Sequence, residues 1–347
     1  KTIQKYGKFH SISGEQLLWF SYSLDDERPG IKEEEKKVIL TISGNDLFRY
    51  LSGASKFLRE QMDLFIKNGY VNIHLFWSEY DIKGYRGLYL SVIKNGTHVK
   101  NYSIADFFKV IKRIKAVIIH NLIGVKLDAL DLILDEIEEN VPVLYYLHDF
   151  SCVCSNIKLM YNNKVYCRSW EDGWARCLTC ESGEEKKAIF AYHDRLFKNR
   201  KIRLVAPSES TKEIIQKCFR IDHSKILVIP HQKYHLGEKE TLRINEVLRI
   251  AYVGYKHIHK GWNTFKRLVS DFKDKYKFYC LGASDEYLDG VEYVAVSYVT
   301  DGEHAMVKKL IEYDIDVSLL LSSWPETYCY TYYESFAAGA FVVTTTE

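Results

Sequence analysis

The chain has 347 residues, of which 47% are hydrophobic, 27% charged and 14% aromatic, the composition of a globular protein and not of a disordered or fibrous one. Forty-eight Lys and Arg against 46 Asp and Glu leave a formal charge of +2, far from the basic excess with which duplex-binding proteins displace counterions, so nucleic acid is not an expected partner. No run approaches the ~20 consecutive apolar residues of a membrane-spanning helix, the sequence opens without a charged-then-apolar leader, and eight Cys are too few for a disulfide scaffold, so a reducing, cytoplasmic setting is expected.

Residues 1–37 contain the charge run Lys32 to Lys37 and no clear period, and read as an appendage with a solvated linker. Lys37 to Ser43 is a β-branched apolar run, followed by a loop from Gly44 to Gly53, a helical pattern from Ala54 to Lys67 stopped by Asn68-Gly69, and a strand from Val71 to Trp77. Further strands read at Leu88 to Ile93, Ala116 to His120, Val141 to Leu147, Leu204 to Pro207 and Ile226 to Pro230. Helical patterns at Asp106 to Lys115, Leu127 to Glu138 and Glu209 to Cys218 lie between them. After the polar stretch His231 to Glu246 a second alternating series begins. Its strands are Val247 to Val253, Lys277 to Leu281, Val291 to Ala295, Val317 to Leu321 and Phe341 to Thr345, and its helices Trp262 to Phe272, Glu303 to Tyr313 and Thr331 to Ala338. Strands alternating with helices argue an α/β protein with parallel sheets covered on both faces. Two Rossmann-like domains, 38–235 and 236–347, are the economical reading.

Charge divides unevenly. Residues 1–230 hold 35 basic and 29 acidic side chains (+6), and 231–347 hold 13 and 17 (−4). Lys109, Lys112, Arg113 and Lys115 and the run Lys198 to Arg203 read first as solvated faces, and are also compatible with peripheral contact between the N-terminal domain and an anionic membrane.

Two stretches carry chemistry. In Ile250 to Trp262 a buried strand ends at Gly254, and Lys260-Gly261 precede a helix, so that free amides and a cation converge as they do around phosphate. In Ser322 to Gly339, Glu326 and Glu334 are eight residues apart, about 80° past two helical turns. With Glu326 in the loop and Glu334 inside the helix, both can address one extended ligand, and Thr327, Tyr328, Cys329 and Tyr330 would offer amides at the helix start to a diphosphate. Helix capping by Glu326 with an exposed Glu334 is the bland alternative.

Taken together, these motifs resemble the GT-B fold retaining glycosyltransferases of family 4. Gly254 followed six residues later by Lys260-Gly261 matches that family, as do the paired Glu326 and Glu334 preceded by Ser322-x-x-Pro325. Val141 to Phe150, a strand running into His148-Asp149, and Leu204 to Ser210 are similar to segments of its first domain. The resemblance implies two Rossmann-like domains whose parallel sheets face a central cleft. It further implies a nucleotide-sugar donor held by Gly254, Tyr255, Lys256, Lys260, Glu326, Thr327 to Tyr330 and Glu334. In it Lys260 neutralises the diphosphate, Glu326 holds sugar hydroxyls, Glu334 receives the ribose, and His148 stands near the anomeric carbon. No divalent metal is required by such an arrangement, and the acceptor would be a saccharide or lipid-linked saccharide of surface polysaccharide or glycoconjugate synthesis. Two departures stand out. Tyr255 occupies the position after Gly254 where the family usually has Arg, with Lys256 or the Tyr255 ring or hydroxyl as replacements. The family's N-terminal Gly-Gly loop is reduced to Ser52-Gly53-Ala54-Ser55, in which Gly53 is assigned to acceptor or phosphate approach. The family also implies further helices beyond Glu347.

His120-Asn121, at another strand end, competes with His148. Cys154, Cys167, Cys177 and Cys180 lie within 27 residues, a spacing compatible with structural zinc, and buried unligated thiols are the alternative. Three other functions stay open: a metal-dependent GT-A transferase using Asp314-Ile315-Asp316, a non-catalytic GT-B partner protein, and a nucleotide-sugar 2-epimerase.

Overall fold

The run Val38–Ser43 (β1) has every residue buried, as a strand must that is apolar on both faces and covered from both sides. It pairs in parallel with Val71–Ile82 (β2) and with Ile114–Ile119 (β5). The computed structural model describes residues 37–44, 53–82, 85–111, 113–120, 122–123, 127–198, 202–231, 245–282, 286–298, 300–302 and 304–345. The appendage before Lys37, Ser52, Lys112, Asn121, residues 199–201 of the basic run and residues 232–244 of the polar stretch lie outside them. The chain divides into two units, 1–157 with 169–229 and 158–168 with 230–347.

In the first unit the helix Gly53–Lys67 (α1) follows β1. The sheet then turns antiparallel: β2 pairs with Tyr85–Lys94 (β3), and β3 with Thr97–Tyr102 (β4). Asn95 and Gly96 join the last two with φ of 47° and 79°, the hairpin use of an Asn-Gly pair. The sheet is therefore mixed where the alternating pattern suggested a parallel one. Ile104–Val110 (α2) is shorter than expected: Ser103 caps it by accepting from Asp106 N, and Ile114 already belongs to β5. β-Branched residues at the end of the helical pattern were claimed by the sheet. Leu127–Asp135 (α3) and Val143–Tyr146 (β6) continue the series. Then come the hairpin Met160–Tyr161 (β7) and Val165–Tyr166 (β8), the helix Gly183–Lys198 (α4), Ile202–Ala206 (β9), Glu209–Phe219 (α5) and Ile226–Val228 (β10). The sheet order is β10-β9-β6-β5-β1-β2-β3-β4.

Helix α4 was not anticipated from the sequence. Glu184 and Glu185 in its first turn and Arg195 and Lys198 in its last complement the helix dipole and were its available signal. The Nζ of its buried Lys186 lies over the Trp174 ring at 3.5 Å.

The second unit has the expected series: Arg249–Val253 (β11), Trp262–Phe272 (α6), Lys277–Leu281 (β12), Val291–Val294 (β13), Ala305–Glu312 (α7), Val317–Leu320 (β14), Tyr330–Ala337 (α8) and Phe341–Thr344 (β15). All pairings are parallel, in the order β13-β12-β11-β14-β15. Alternation along β11 sends Ala251 and Val253 into one core with Leu281 and Leu310, and Tyr252 into the other with Trp262, Phe265 and Cys280. Among the described residues no helix is long and apolar enough to cross a membrane.

Two histidines of the first unit make stability depend on acid. Burial holds His74 down at about 3, and burial holds His193 at about 4. The unfolded chain takes up these protons near pH 6.5 and the folded chain does not, so stability is complete above that pH and is lost as pH falls from about 6.5 toward 4. Urea midpoints measured at pH 7, 6, 5 and 4 are expected to decline in that order; a constant midpoint would contradict the burial of the two neutral rings.

Candidate functional site

Strand order reverses in the second unit between β11 and β14, and loops leaving the carboxyl ends of two such strands diverge to form a crevice. The expected motifs sit on these two loops. β11 ends at Gly254 with φ 115°, and the neighbouring β12 ends at Gly282 with φ 142°. A Cβ on Gly282 would stand 2.6 Å from the Gly254 carbonyl, so the close approach requires glycine there. Behind them the buried Tyr252 hydroxyl donates to the carbonyls of Tyr255 and Lys260 at 3.1 and 3.2 Å, fixing the course of residues 254–260. Gly261, at φ 77°, then opens α6 against Leu321 of the second loop.

These constraints bring Lys260 and Glu326 together. The Lys260 ammonium lies 2.7 Å from Glu326 Oε1, and the Ser322 hydroxyl donates to the same oxygen. Lys260 also stands over the Tyr255 and Trp324 rings at 5.8 and 5.7 Å. The second loop is tied on both sides: Ser323 N donates to the His259 carbonyl at 2.9 Å, and the Thr345 hydroxyl to the Ser322 carbonyl at 2.6 Å.

Around this pair is a group of side chains that sequence reasoning missed. The Tyr255 hydroxyl is 2.8 Å from His259 Nε2, whose Nδ1 is 3.3 Å from the Lys158 ammonium. The His257 ring lies tilted at 41° against His259 with 3.8 Å between centroids. Burial, then the charge of Lys158, then His257 and Lys260 hold His259 at about 3. The spacing His257-x-His259 was visible, but Lys158 is about a hundred residues away in sequence and arrives just before the β7-β8 hairpin, whose available signal was the Asn162-Asn163 turn at φ 47° and 58°.

Other expected donor residues are placed differently. Lys256 donates to the Glu286 carbonyl and lies over the Trp262 and Tyr293 rings at 4.8 and 4.6 Å. Glu334 is inside α8, 1% exposed, and accepts from the Tyr298 hydroxyl at 2.7 Å; the exposed Glu334 of the bland alternative is therefore ruled out. Cys329 is the residue before α8, its thiol pushed up to about 11 by burial and then by the Glu326 charge. Thr327 and Tyr328 are buried, and Tyr328 stacks on Tyr333 at 4.9 Å while packing against Tyr330 and His231.

In the first unit order reverses between β1 and β5, and a Cβ on Gly44 after β1 would stand 2.2 Å from the carbonyl of Ile123 after β5. His120 and His148, read as competitors, form one pair: His120 Nδ1 is 2.7 Å from His148 Nε2. Tyr146 stacks on both, Phe57 meets them edge-on, and Gln61 donates to the Tyr146 hydroxyl at 3.0 Å. The fully buried His120 thus occupies one ring nitrogen of His148. Asp149 accepts from Ser151 N at 2.8 Å, and burial raises its carboxyl above the usual range. Gly53 is the exposed first residue of α1.

The four cysteines do not assemble. Among the described residues no three His, Cys, Asp or Glu side chains are grouped to hold a metal ion. Cys154, Cys167, Cys177 and Cys180 are each partly buried. The zinc set expected from the spacing is thus not seen among the described residues; spacing along the chain places sulfurs near one another only where the connecting backbone folds back on itself.

No family model matches the chain, and no curated protein matches it by sequence. Solved structures do resemble it. The lipopolysaccharide outer core galactosyltransferase WaaB, without ligand, aligns with a TM-score of 0.53 and 11% identity over 88% of this chain and 80% of that one. A glycosyltransferase from Rickettsia africae aligns with a TM-score of 0.53 and 14% identity over 90% and 80%. HepE from Anabaena in complex with UDP aligns with a TM-score of 0.52 and 11% identity over 89% and 80%. At such identities the likeness concerns the fold, and the chain is an α/β protein with the GT-B fold of these glycosyltransferases.

Proposed function

We propose that the protein is a glycosyltransferase that moves a sugar from a nucleotide-sugar donor to a saccharide or lipid-linked acceptor, with retention at the anomeric carbon. The observation that carries this reading is the Lys260–Glu326 contact at 2.7 Å, made by the two loops that diverge at the strand-order reversal of the second unit. A cation and a carboxylate side by side fit the two ends of a diphosphate-linked sugar. Lys260 offsets the charge that develops on the departing phosphate. Glu326, which meets both Lys260 and Ser322 through Oε1, has Oε2 for a sugar hydroxyl. A preorganised cation at a leaving group of this kind is worth ~3–4 kcal/mol of barrier. The HepE structure that shares the fold was solved with UDP, which supports a nucleoside diphosphate as the leaving group.

Glu334 is assigned to the ribose hydroxyls, with Tyr298 setting the orientation of its carboxylate. The roles of His148 toward the sugar and of Gly53 toward the acceptor, like retention and the surface-polysaccharide setting, rest on the family resemblance.

Thermal shift against a panel of UDP-, GDP-, ADP- and TDP-sugars tests the reading, a stabilising donor then being offered with saccharide acceptors for transfer. Absence of any shift across the panel would refute it. Glu334→Gln, which keeps the side-chain volume, is expected to weaken binding of the stabilising donor about tenfold, the loss of one charge-assisted hydrogen bond to a hydroxyl. Tyr298→Phe should weaken it less. Unchanged titration curves in Glu334→Gln would remove the ribose assignment.

A further inference from the structure

Lys158, His259 and Tyr255 form a chain of contacts that ends beside Lys260. The Lys158 ammonium is 3.3 Å from His259 Nδ1, and His259 Nε2 is 2.8 Å from the Tyr255 hydroxyl. The chemistry of the chain fixes its polarity. An ammonium has hydrogens and no lone pair, so His259 Nδ1 must accept. A neutral imidazole with Nδ1 as acceptor carries its single hydrogen on Nε2 and donates it to the Tyr255 oxygen. The hydroxyl hydrogen of Tyr255 is then directed away from His259, toward whatever faces the tyrosine. Lys260 stands over the same ring at 5.8 Å. Burial first, and then the charge of Lys260, depress the Lys158 ammonium below its usual range. Glu326 accepts from both Lys260 and Ser322.

We propose that Lys158, acting through His259, makes the Tyr255 hydroxyl a charge-backed donor to a phosphate oxygen, so that the second unit grips a diphosphate by Tyr255 on one side and Lys260 on the other. The inference rests on the glycosyltransferase reading for the identity of the anion and adds the residues that hold its second phosphate contact. It also gives the β7-β8 segment a function: this piece of chain, inserted between elements of the first unit, delivers one lysine to the nucleotide site of the second. Lys158 and His259 are positioning residues in this scheme, and Tyr255 is the group that touches the ligand.

Calorimetric titration with UDP, GDP and ADP, each beside its parent nucleoside, tests it. For whichever diphosphate the unaltered protein binds, Lys158→Met is expected to weaken binding about tenfold or more, the loss expected for a charge-assisted contact. Affinity for the matching nucleoside should not move, because it has no phosphate to feel the charge. Lys158→Arg should restore most of the loss, whereas Lys164→Met, which removes an equal charge from the exposed turn of the same hairpin, should leave affinity within about twofold. Tyr255→Phe should weaken the diphosphate alone, and combining it with Lys158→Met should cost less than the product of the two effects, since both act on one hydrogen bond. Tyr255→Phe also keeps the test decisive where Lys158→Met loses its melting transition. Equal diphosphate affinity in Tyr255→Phe, or equal losses for nucleoside and diphosphate in Lys158→Met, would overturn the inference and leave the broader reading standing. A protein that binds none of the three diphosphates would overturn both.

Discussion

Glu326→Gln is expected to lower sugar transfer about 100- to 1,000-fold with the fold intact, the range found when one preorganised electrostatic contact is withdrawn from a reacting centre. Glutamine keeps the length of the side chain and an oxygen for the Ser322 hydroxyl, so the loop from Ser322 to Cys329 should keep its course. What it removes is the negative charge 2.7 Å from the Lys260 ammonium. That charge does two things in the proposed reaction. It orients Lys260 toward the phosphate end of the donor, and it stabilises positive charge that builds on the sugar as the leaving group departs. The second is realised only in the transition state, so kcat should fall while the KM for the donor changes little. Glu326→Ala should add a loss of donor affinity, because Ser322 and Lys260 would lose their shared acceptor. Lys260→Met combined with Glu326→Gln should be less damaging than the product of the single losses, as for groups that act as a unit. Initial rates with the preferred donor, together with far-ultraviolet circular dichroism, provide the check. Wild-type turnover in Glu326→Gln would dispose of the role assigned to it.

Gly261→Ala is expected to destabilise the second unit by roughly 3–4 kcal/mol or more, the combined effect of a left-handed backbone and a direct overlap. Gly261 has φ 77°, and a Cβ built there would lie 2.3 Å from both the Leu321 side chain and its carbonyl oxygen. Neither neighbour can yield easily: Leu321 follows β14 and is buried in the core with Trp262 and Phe265. The overlap would push the start of α6 away from the second loop and separate Lys260 from Glu326. Gly254→Ala is the informative comparison. Its φ of 115° is also unfavourable to a side chain, but a Cβ there meets nothing within 4 Å, so only the conformational part, about 1–3 kcal/mol, is expected. Urea unfolding of the two variants separates the terms. Equal midpoints would mean that contact with Leu321 contributes nothing.

Much of the candidate site could be read in advance because it lies on two short stretches with strong local logic. Gly254, Lys260, Gly261, Glu326 and Glu334 stand where a parallel strand gives way to a helix, and apolar runs such as Val317 to Leu321 announce those strands without ambiguity. His148 was legible for the same reason, as the polar residue just past a buried run. The antiparallel β4 was not, because Thr97 to Tyr102 alternates weakly and its evidence was mainly the Asn95-Gly96 turn. Helix α4 was hidden in a polar, cysteine-containing stretch whose charges favour a helix but whose apolar period is faint.

By itself the sequence determined that there are two alternating α/β series and which loops carry cation and carboxylate, since hydrophobic period and glycine placement are local properties that the backbone obeys wherever the segment lies. Tertiary structure alone decided the rest: that His120 and His148 are one hydrogen-bonded pair, that Lys256 is turned to Glu286, that the four cysteines are not one ligand set, and that Lys158 reaches His259. Each of these depends on which distant segments meet, and that follows from strand order and loop closure, which residue identity along a single stretch does not encode.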